Sequence, residues 1–122
     1  MNELHFSSAA DIAASVSTGR VKASEVVNFF LAHTARQNPS LNAFTSVLTE
    51  RASARAAQID AQLARGECPG PMAGVPFAVK NLFDIRDLTT LAGSAINADY
   101  APASEDALLI QRLEQQGAIL IG

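Results

Sequence analysis

One lysine is a candidate for chemistry because it ends a nearly continuous apolar run, AGVPFAVKN, at residues 73–81. If residues 75–83 form an extended strand, Lys80 shares one face with Pro76 and Ala78, and apolar residues follow it. An ammonium group held away from water has a lowered pKa. A neutral amine can then accept a proton near neutral pH. The pattern therefore makes Lys80 a candidate general base that would activate a nucleophile.

A structural role for Lys80 is the alternative. A lysine at the end of a strand usually extends its amine to water while its methylene groups cover the core. The chain contains only two lysines, Lys22 and Lys80, against seven arginines. Arginine therefore supplies most of the positive charge, which favours the functional interpretation of Lys80 over the structural one.

The segment TTLAGS, residues 89–94, contributes two further candidates, Gly93 and Ser94. In one interpretation they belong to a loop beside the lysine that lines a substrate pocket. In the other they form a tight turn that only needs the conformational freedom of glycine. Asp84 and Asp87 are interpreted as strand-end and turn residues and not as a catalytic carboxylate pair.

Several common kinds of site are not indicated. His5 and His33 are far apart in the sequence, with no cysteine or acidic cluster at ligand spacing, so no metal site is predicted. Cys68 is interpreted as a surface thiol, and a single cysteine is typical of a reducing compartment. No glycine-rich phosphate loop precedes a helix, so no nucleotide cofactor is predicted. The net charge of −3 argues against direct binding of nucleic acid.

The order of the predicted elements indicates an α/β fold. A helical pair over residues 8–38 forms the lead-in of residues 1–40, with Ser7 or Ser8 and then Ser24 as the expected N-caps. Strand, helix, strand, helix and strand follow, at 41–48, 49–67, 75–83, 104–117 and 118–122. This βαβαβ order implies right-handed crossovers and a parallel sheet. We expect Ser104 to cap the last helix. Residues 87–104 are expected to form a long irregular loop, of a length typical of functional or disordered segments.

The length of 122 residues suits a single domain. The first residues lack a basic start and an apolar core, and no apolar run reaches the roughly 20 residues that span a bilayer. We therefore expect a soluble cytoplasmic protein. The apolar strand 118–122 has nothing after it to cover its far face, so we also expect this sequence to be the N-terminal portion of a longer chain.

Three segments together resemble the N-terminal portion of the amidase-signature enzymes. They are GPMAGVPFAVKNLFDI, LTTLAGS and SEDALLIQRLEQQGAILIG, and the helical opening and LNAFTSVL also fit the start of that family. The resemblance covers nearly the whole chain. Within the family, FAVKNLFDI and LTTLAGS look most like the amidase subunit of carboxybiuret hydrolase, which acts in the degradation of cyanuric acid.

The resemblance implies a Ser–cis-Ser–Lys triad that hydrolyses or transfers amide groups, with Lys80 as its lysine. Asn81 stands where the family often has aspartate. The glycine- and serine-rich segment that carries both catalytic serines does not occur in these 122 residues, so we expect this chain to be inactive alone. The chemistry needs no metal or organic cofactor. The implied partners are a small amide substrate and a small accessory subunit, with homo-oligomerisation also possible.

Two other functions are kept open by the sequence. The amidase component of a glutamyl-tRNA amidotransferase has a similar N-terminal portion. A chain of a different class is also compatible, namely a non-catalytic interaction module built on the helical pair at residues 8–38, with Lys80 merely exposed.

Overall fold

The computed structural model describes residues 4–5 and 7–122, and its first part is helical. Helix α1 spans Ala9–Ser17 and α2 spans Ala23–Leu41. Ser8 caps α1 as expected, since its hydroxyl accepts from the Asp11 N–H while the Asp11 carboxylate accepts from the Ser8 N–H. The predicted helical pair is therefore confirmed.

The N-terminus of α2 is held by residues other than the predicted Ser24. The N-cap is Lys22, and no side chain at that position caps the helix. Instead, the carboxylate of Asp60 accepts from the N–H groups of Ala23 at 2.7 Å and Ser24 at 3.2 Å. The predicted cap is wrong because the Asp60 carboxylate, far along the chain but close in space, accepts from N–H groups of the first turn that have no partner within α2.

Helix α3, Thr49–Ala64, packs against α2. Its predicted face is confirmed, since Ala52, Ala56 and Ile59 are fully buried and Leu63 is partly buried. Small alanine side chains on that face allow the two helices to approach closely. The facing residues of α2 are also buried: Val26, Val27, Leu31 and Thr34.

A two-stranded parallel sheet follows the helices. Strand β1, Pro76–Phe77, pairs with β2, Ile119–Leu120, with Pro76 opposite Ile119 and Phe77 opposite Leu120. Backbone hydrogen bonds extend the pairing from Val75, which accepts from Ile119, to Val79, which donates to Gly122. The α/β class with a parallel sheet is therefore confirmed, although the regular strands are shorter than predicted.

Residues 41–48 do not form the predicted first strand. They are irregular beyond Leu41, where α2 ends, and the Leu48 N–H makes a single backbone hydrogen bond with the Ile121 carbonyl. The Asn38 side chain both accepts from the Phe44 N–H and donates to the Phe44 carbonyl. The segment is thus held by an amide side chain and not by a strand ladder.

The last helix starts later than predicted. Helix α4 spans Leu108–Gln115 with Ala107 at its N-cap, so Ser104 does not cap it. Asp106, which the sequence places near the helix start, is instead bound by Arg51 of α3. The preceding loop contains one 3₁₀ helix, Ala95–Asp99.

Residues 118–121 are buried in the core of this chain. The expectation that their far face lies open is therefore wrong, because α3, α4 and β1 all pack on this strand. Over residues 4–5 and 7–122, none of the helices combines the length and the apolar character needed to cross a bilayer.

Candidate active site

Lys80 lies at the carboxyl end of the parallel sheet. The Val79 N–H donates to the Gly122 carbonyl at 3.0 Å, so the residues that follow β1 and β2 lie side by side. Ligands of open α/β sheets bind outside the carboxyl ends of the strands. The position of Lys80 in the fold therefore suits a residue that meets a ligand.

The surroundings of Lys80 are more open than its sequence neighbours suggest. Its side chain is exposed, and so are those of Ala78 and Leu82. The chain turns after Val79, with the Phe83 N–H donating to the Lys80 carbonyl at 3.1 Å, and does not continue as a strand. The expected apolar enclosure is therefore wrong for the described residues, because a turn carries the lysine out of the sheet.

A turn of the TTLAGS segment lies beside the lysine. The Ala92 N–H donates to the Asn81 carbonyl at 3.1 Å, and the Ser94 N–H donates to the Leu91 carbonyl at 2.9 Å. Ala92 and Gly93 both have positive φ, 49° and 72°. The turn therefore requires glycine-like backbone freedom at Gly93, as the second interpretation of that residue holds. The part of Gly93 and Ser94 in a substrate pocket stays a prediction.

The two aspartates near this turn have structural roles. The Thr90 hydroxyl donates to the Asp84 carboxylate. Asp87 adopts a positive φ of 67°, and its N–H donates to the Ala103 carbonyl. Asp87 thus lies in a turn, as predicted, whereas Asp84 does not end a strand, because β1 already stops at Phe77.

Sequence reasoning missed one wall of the groove that contains Lys80. A groove of about 370 Å³ separates residues 43–46 from residues 78–81, with Gly122 between them. A Cβ atom at Gly122 would lie 2.5 Å from Phe44 Cδ1 and 2.6 Å from the Ser46 carbonyl oxygen. Glycine is therefore required for this approach, and the motif GAILIG was the one available signal for it.

A charged cluster around the buried carboxylate of Asp106 was also missed. The guanidinium of Arg51 makes two hydrogen bonds of 2.7 Å with Asp106 and one of 2.9 Å with Glu114. The hydrogen bonds from Arg51 hold the pKa of Asp106 below its usual value, and they raise the pKa of Arg51. Both groups are therefore charged, and the pair is a firm link between α3 and the start of α4.

His5 and His33 are brought together although they are distant in the sequence. Their ring centroids are 4.6 Å apart, with an interplanar angle of 61°. In the part of the chain that the structure describes, His, Cys, Asp and Glu residues form no group of three or more that could hold a metal ion. Cys68 is exposed and forms no disulfide.

Comparison with known proteins assigns the chain to a family. Comparison with known protein families matches residues 25–122 to the amidase family. The chain belongs to this family, the amidase-signature enzymes.

Individual relatives make the similarity more specific. One is the AtzE component of 1-carboxybiuret hydrolase from Pseudomonas sp. strain ADP, which is 48% identical over 112 residues, covering 92% of this chain and 24% of the relative. Another is a glutamyl-tRNA(Gln) amidotransferase subunit of Bdellovibrio bacteriovorus, 40% identical over 120 residues, covering 98% of this chain and 24% of the relative.

Solved structures give the same result. An s-triazine catabolic enzyme, determined in a vestigial protein complex with an inhibitor, has a TM-score of 0.93 and 46% identity over 95% of this chain and 25% of its own. A bacterial aryl acylamidase has a TM-score of 0.90 and 25% identity over 98% of this chain and 25% of its own. The chain thus spans about a quarter of the length of the relatives it matches.

Proposed function

We propose that this chain is the N-terminal quarter of an amide hydrolase in which Lys80 is the general base of a Ser–cis-Ser–Lys triad. The observation that carries the proposal is the position of Lys80, at the carboxyl ends of two parallel strands and beside the 91–94 turn. Membership of the amidase family supports it. The order of the motifs along the chain agrees with it.

In this mechanism the neutral amine of Lys80 takes a proton from the bridging serine. That serine takes a proton from the nucleophilic serine, whose oxygen attacks the amide carbon. The proton then passes from Lys80 through the bridging serine to the leaving nitrogen, so the tetrahedral intermediate releases ammonia or an amine and leaves an acyl-enzyme. Water hydrolyses this acyl-enzyme and restores both serines. Backbone N–H groups stabilise the oxyanion, each by about 3–4 kcal/mol in comparable sites.

Both serines belong to a segment outside these 122 residues, and neither Ser94 nor Ser104 is assigned as the nucleophile. The chain alone is therefore inactive in this proposal. Lys80 is exposed in this chain, so the proposal also requires further chain that covers the 370 Å³ groove and shields the lysine from water.

Carboxybiuret or a similar small amide is the proposed substrate, on the basis of the 48% identity with the carboxybiuret hydrolase component. A small accessory subunit is the proposed partner, since the s-triazine catabolic enzyme was determined in a protein complex. The chemistry proposed needs no metal or organic cofactor, and we place the protein in the cytoplasm.

Transfer of an amide group to glutamyl-tRNA is the second candidate function. The observation that favours it is the 40% identity with an amidotransferase subunit over nearly the whole chain. The two candidates share Lys80 and the triad. They differ in the fate of the amide nitrogen, which is released as ammonia in the first and passed to glutamyl-tRNA in the second. Assays of ammonia release from carboxybiuret and of glutamine-dependent amidation of glutamyl-tRNA distinguish them.

The test of the catalytic role is Lys80→Ala in the complete protein. We expect turnover to fall by about 10²- to 10⁴-fold, the usual contribution of a general base, with an unchanged circular dichroism spectrum. Lys22→Ala is the matched control, because it removes the other lysine at an exposed position and should leave turnover unchanged. Near-normal turnover of the Lys80→Ala protein would rule out the proposed role.

A further inference from the structure

One buried carboxylate joins three segments of the chain. Asp106 is only 6% exposed, and it binds both terminal nitrogens of Arg51 on α3. Its Oδ1 atom also accepts from the backbone N–H of Arg86 at 2.9 Å. Helix α3, the segment 84–88 and the residues just before α4 therefore meet at a single side chain.

The segment that Asp106 holds leads directly to the candidate base. The Ala107 N–H, next to Asp106, donates to the Asp84 carbonyl at 2.8 Å. Asp84 follows Phe83, whose N–H donates to the Lys80 carbonyl at 3.1 Å. The backbone between Lys80 and Arg86 is thus fixed by the turn at its start and by Asp106 at its end.

The same segment also holds the neighbouring turn. The Thr90 hydroxyl donates to the Asp84 carboxylate, and the Ala92 N–H donates to the Asn81 carbonyl. A shift of Asp84 would therefore move Lys80 and the 91–94 turn relative to each other.

We propose that Asp106 and Arg51 are positioning residues, which hold Lys80 and the 91–94 turn in their relative places. The consequence for catalysis rests on the proposed function, whereas the consequence for backbone order does not. Neither side chain lines the groove that contains Lys80, so both act through the chain between them and the lysine.

Asp106→Asn is the informative substitution, because it removes the negative charge while it keeps nearly the same side-chain size. In Asp106→Asn, an NH₂ group replaces one carboxylate oxygen and faces an N–H donor of Arg51. At least one of the two 2.7 Å hydrogen bonds is then lost. The hydrogen bond from the Arg86 N–H then ends on a neutral amide oxygen and loses its charge assistance, so the link to segment 84–88 weakens. Arg51 keeps its partner Glu114 at 2.9 Å, so α3 and α4 stay connected.

The experiment compares Asp106→Asn with wild type in the complete protein. We expect kcat to fall by about 10- to 100-fold, because a displacement of about 1 Å at a reacting group can cost 10²-fold, while KM changes little. Hydrogen exchange of the peptide that contains Phe83 and Ala92 should become faster in the same variant.

Two controls make the result specific. Arg65→Gln breaks an exposed ion pair with Glu67 and should change neither kcat nor exchange. Ile59→Val destabilises the core without touching the link, and at an equal loss of melting temperature it should keep a near-normal kcat.

Each possible result decides the proposal. If Ile59→Val lowers kcat as much as Asp106→Asn does, the role of Asp106 is only structural and the proposal is overturned. Unchanged exchange at Phe83 and Ala92 in Asp106→Asn overturns it too. Full turnover of Lys80→Ala refutes the proposed function separately, and faster exchange would still support the link to the backbone.

Discussion

Replacing Gly74 by alanine tests the packing that brings α1 and α2 against the segment leading into β1. Gly74 is buried and has a φ of +76°. A Cβ atom there would lie 2.8 Å from Val16 Cγ2 and 3.3 Å from the Cβ of Ala23. Both neighbours are fully buried, so little room exists for them to move.

The expected cost has two parts. Alanine at positive φ costs about 1–2 kcal/mol. Overpacking of a filled core adds about 1–3 kcal/mol. We therefore expect Gly74→Ala to lower the free energy of unfolding by about 2–5 kcal/mol, measured by urea denaturation followed by circular dichroism.

Gly19 provides the matched control. Its φ is +73°, close to that of Gly74, and a Cβ there would meet no atom within 4 Å. Gly19→Ala should therefore cost only the conformational part, about 1–2 kcal/mol. A Val16→Ala substitution should also be less harmful in the Gly74→Ala background than in wild type, since it removes the clash. Equal losses for the two glycine variants would refute the packing argument.

Two further predictions concern carboxylates. Asp60→Ala should lower the free energy of unfolding by about 1–3 kcal/mol, because two N–H groups at the start of α2 lose their acceptor. Asp60→Asn should lower it by less, because the amide keeps one oxygen acceptor. Equal losses for the two variants in urea denaturation would contradict this prediction. The lowered pKa of Asp106 means that its paired form stabilises the fold above the usual carboxyl pKa of about 4 and that this contribution is lost as the pH falls through the lowered value. The free energy of unfolding of wild type should therefore fall more steeply below pH 4 than that of Asp106→Asn, and parallel curves would show that Asp106 does not contribute.

Local patterns predicted the helices and the parallel sheet well. The buried alanine face of α3 and the Ser8 cap of α1 follow from residues within a few positions of each other. The predictions were wrong where contacts between residues far apart in the sequence determine the structure. Asp60 replaces Ser24 as the partner of the α2 N-terminus, and Asp106, directly before α4, binds Arg51 of α3 and does not cap α4.

The candidate site was predictable in part. The type of residue identified Lys80, and the spacing of the TTLAGS segment placed a turn beside it. Its exposure agrees with the alternative interpretation of a lysine at a strand end and not with the enclosure expected from its apolar neighbours, because a turn at residues 80–83 changes the direction of the chain. The groove wall at residues 43–46 depends on its contact with Gly122; the motif GAILIG shows that a glycine is present but not which distant segment approaches it.

The position of β2 in the core affects how the chain folds while it is being synthesised. Ile119 and Ile121 belong to the same apolar cluster as Ala52 and Ile59 of α3, but about 60 residues separate them along the chain. At about 5–20 residues per second, the ribosome needs roughly 3–12 s to add that length. Throughout this interval the apolar face of α3 lacks the contacts that Ile119 and Ile121 make with it. Until residues 119–121 have been synthesised, part of this apolar surface stays exposed and can bind chaperones.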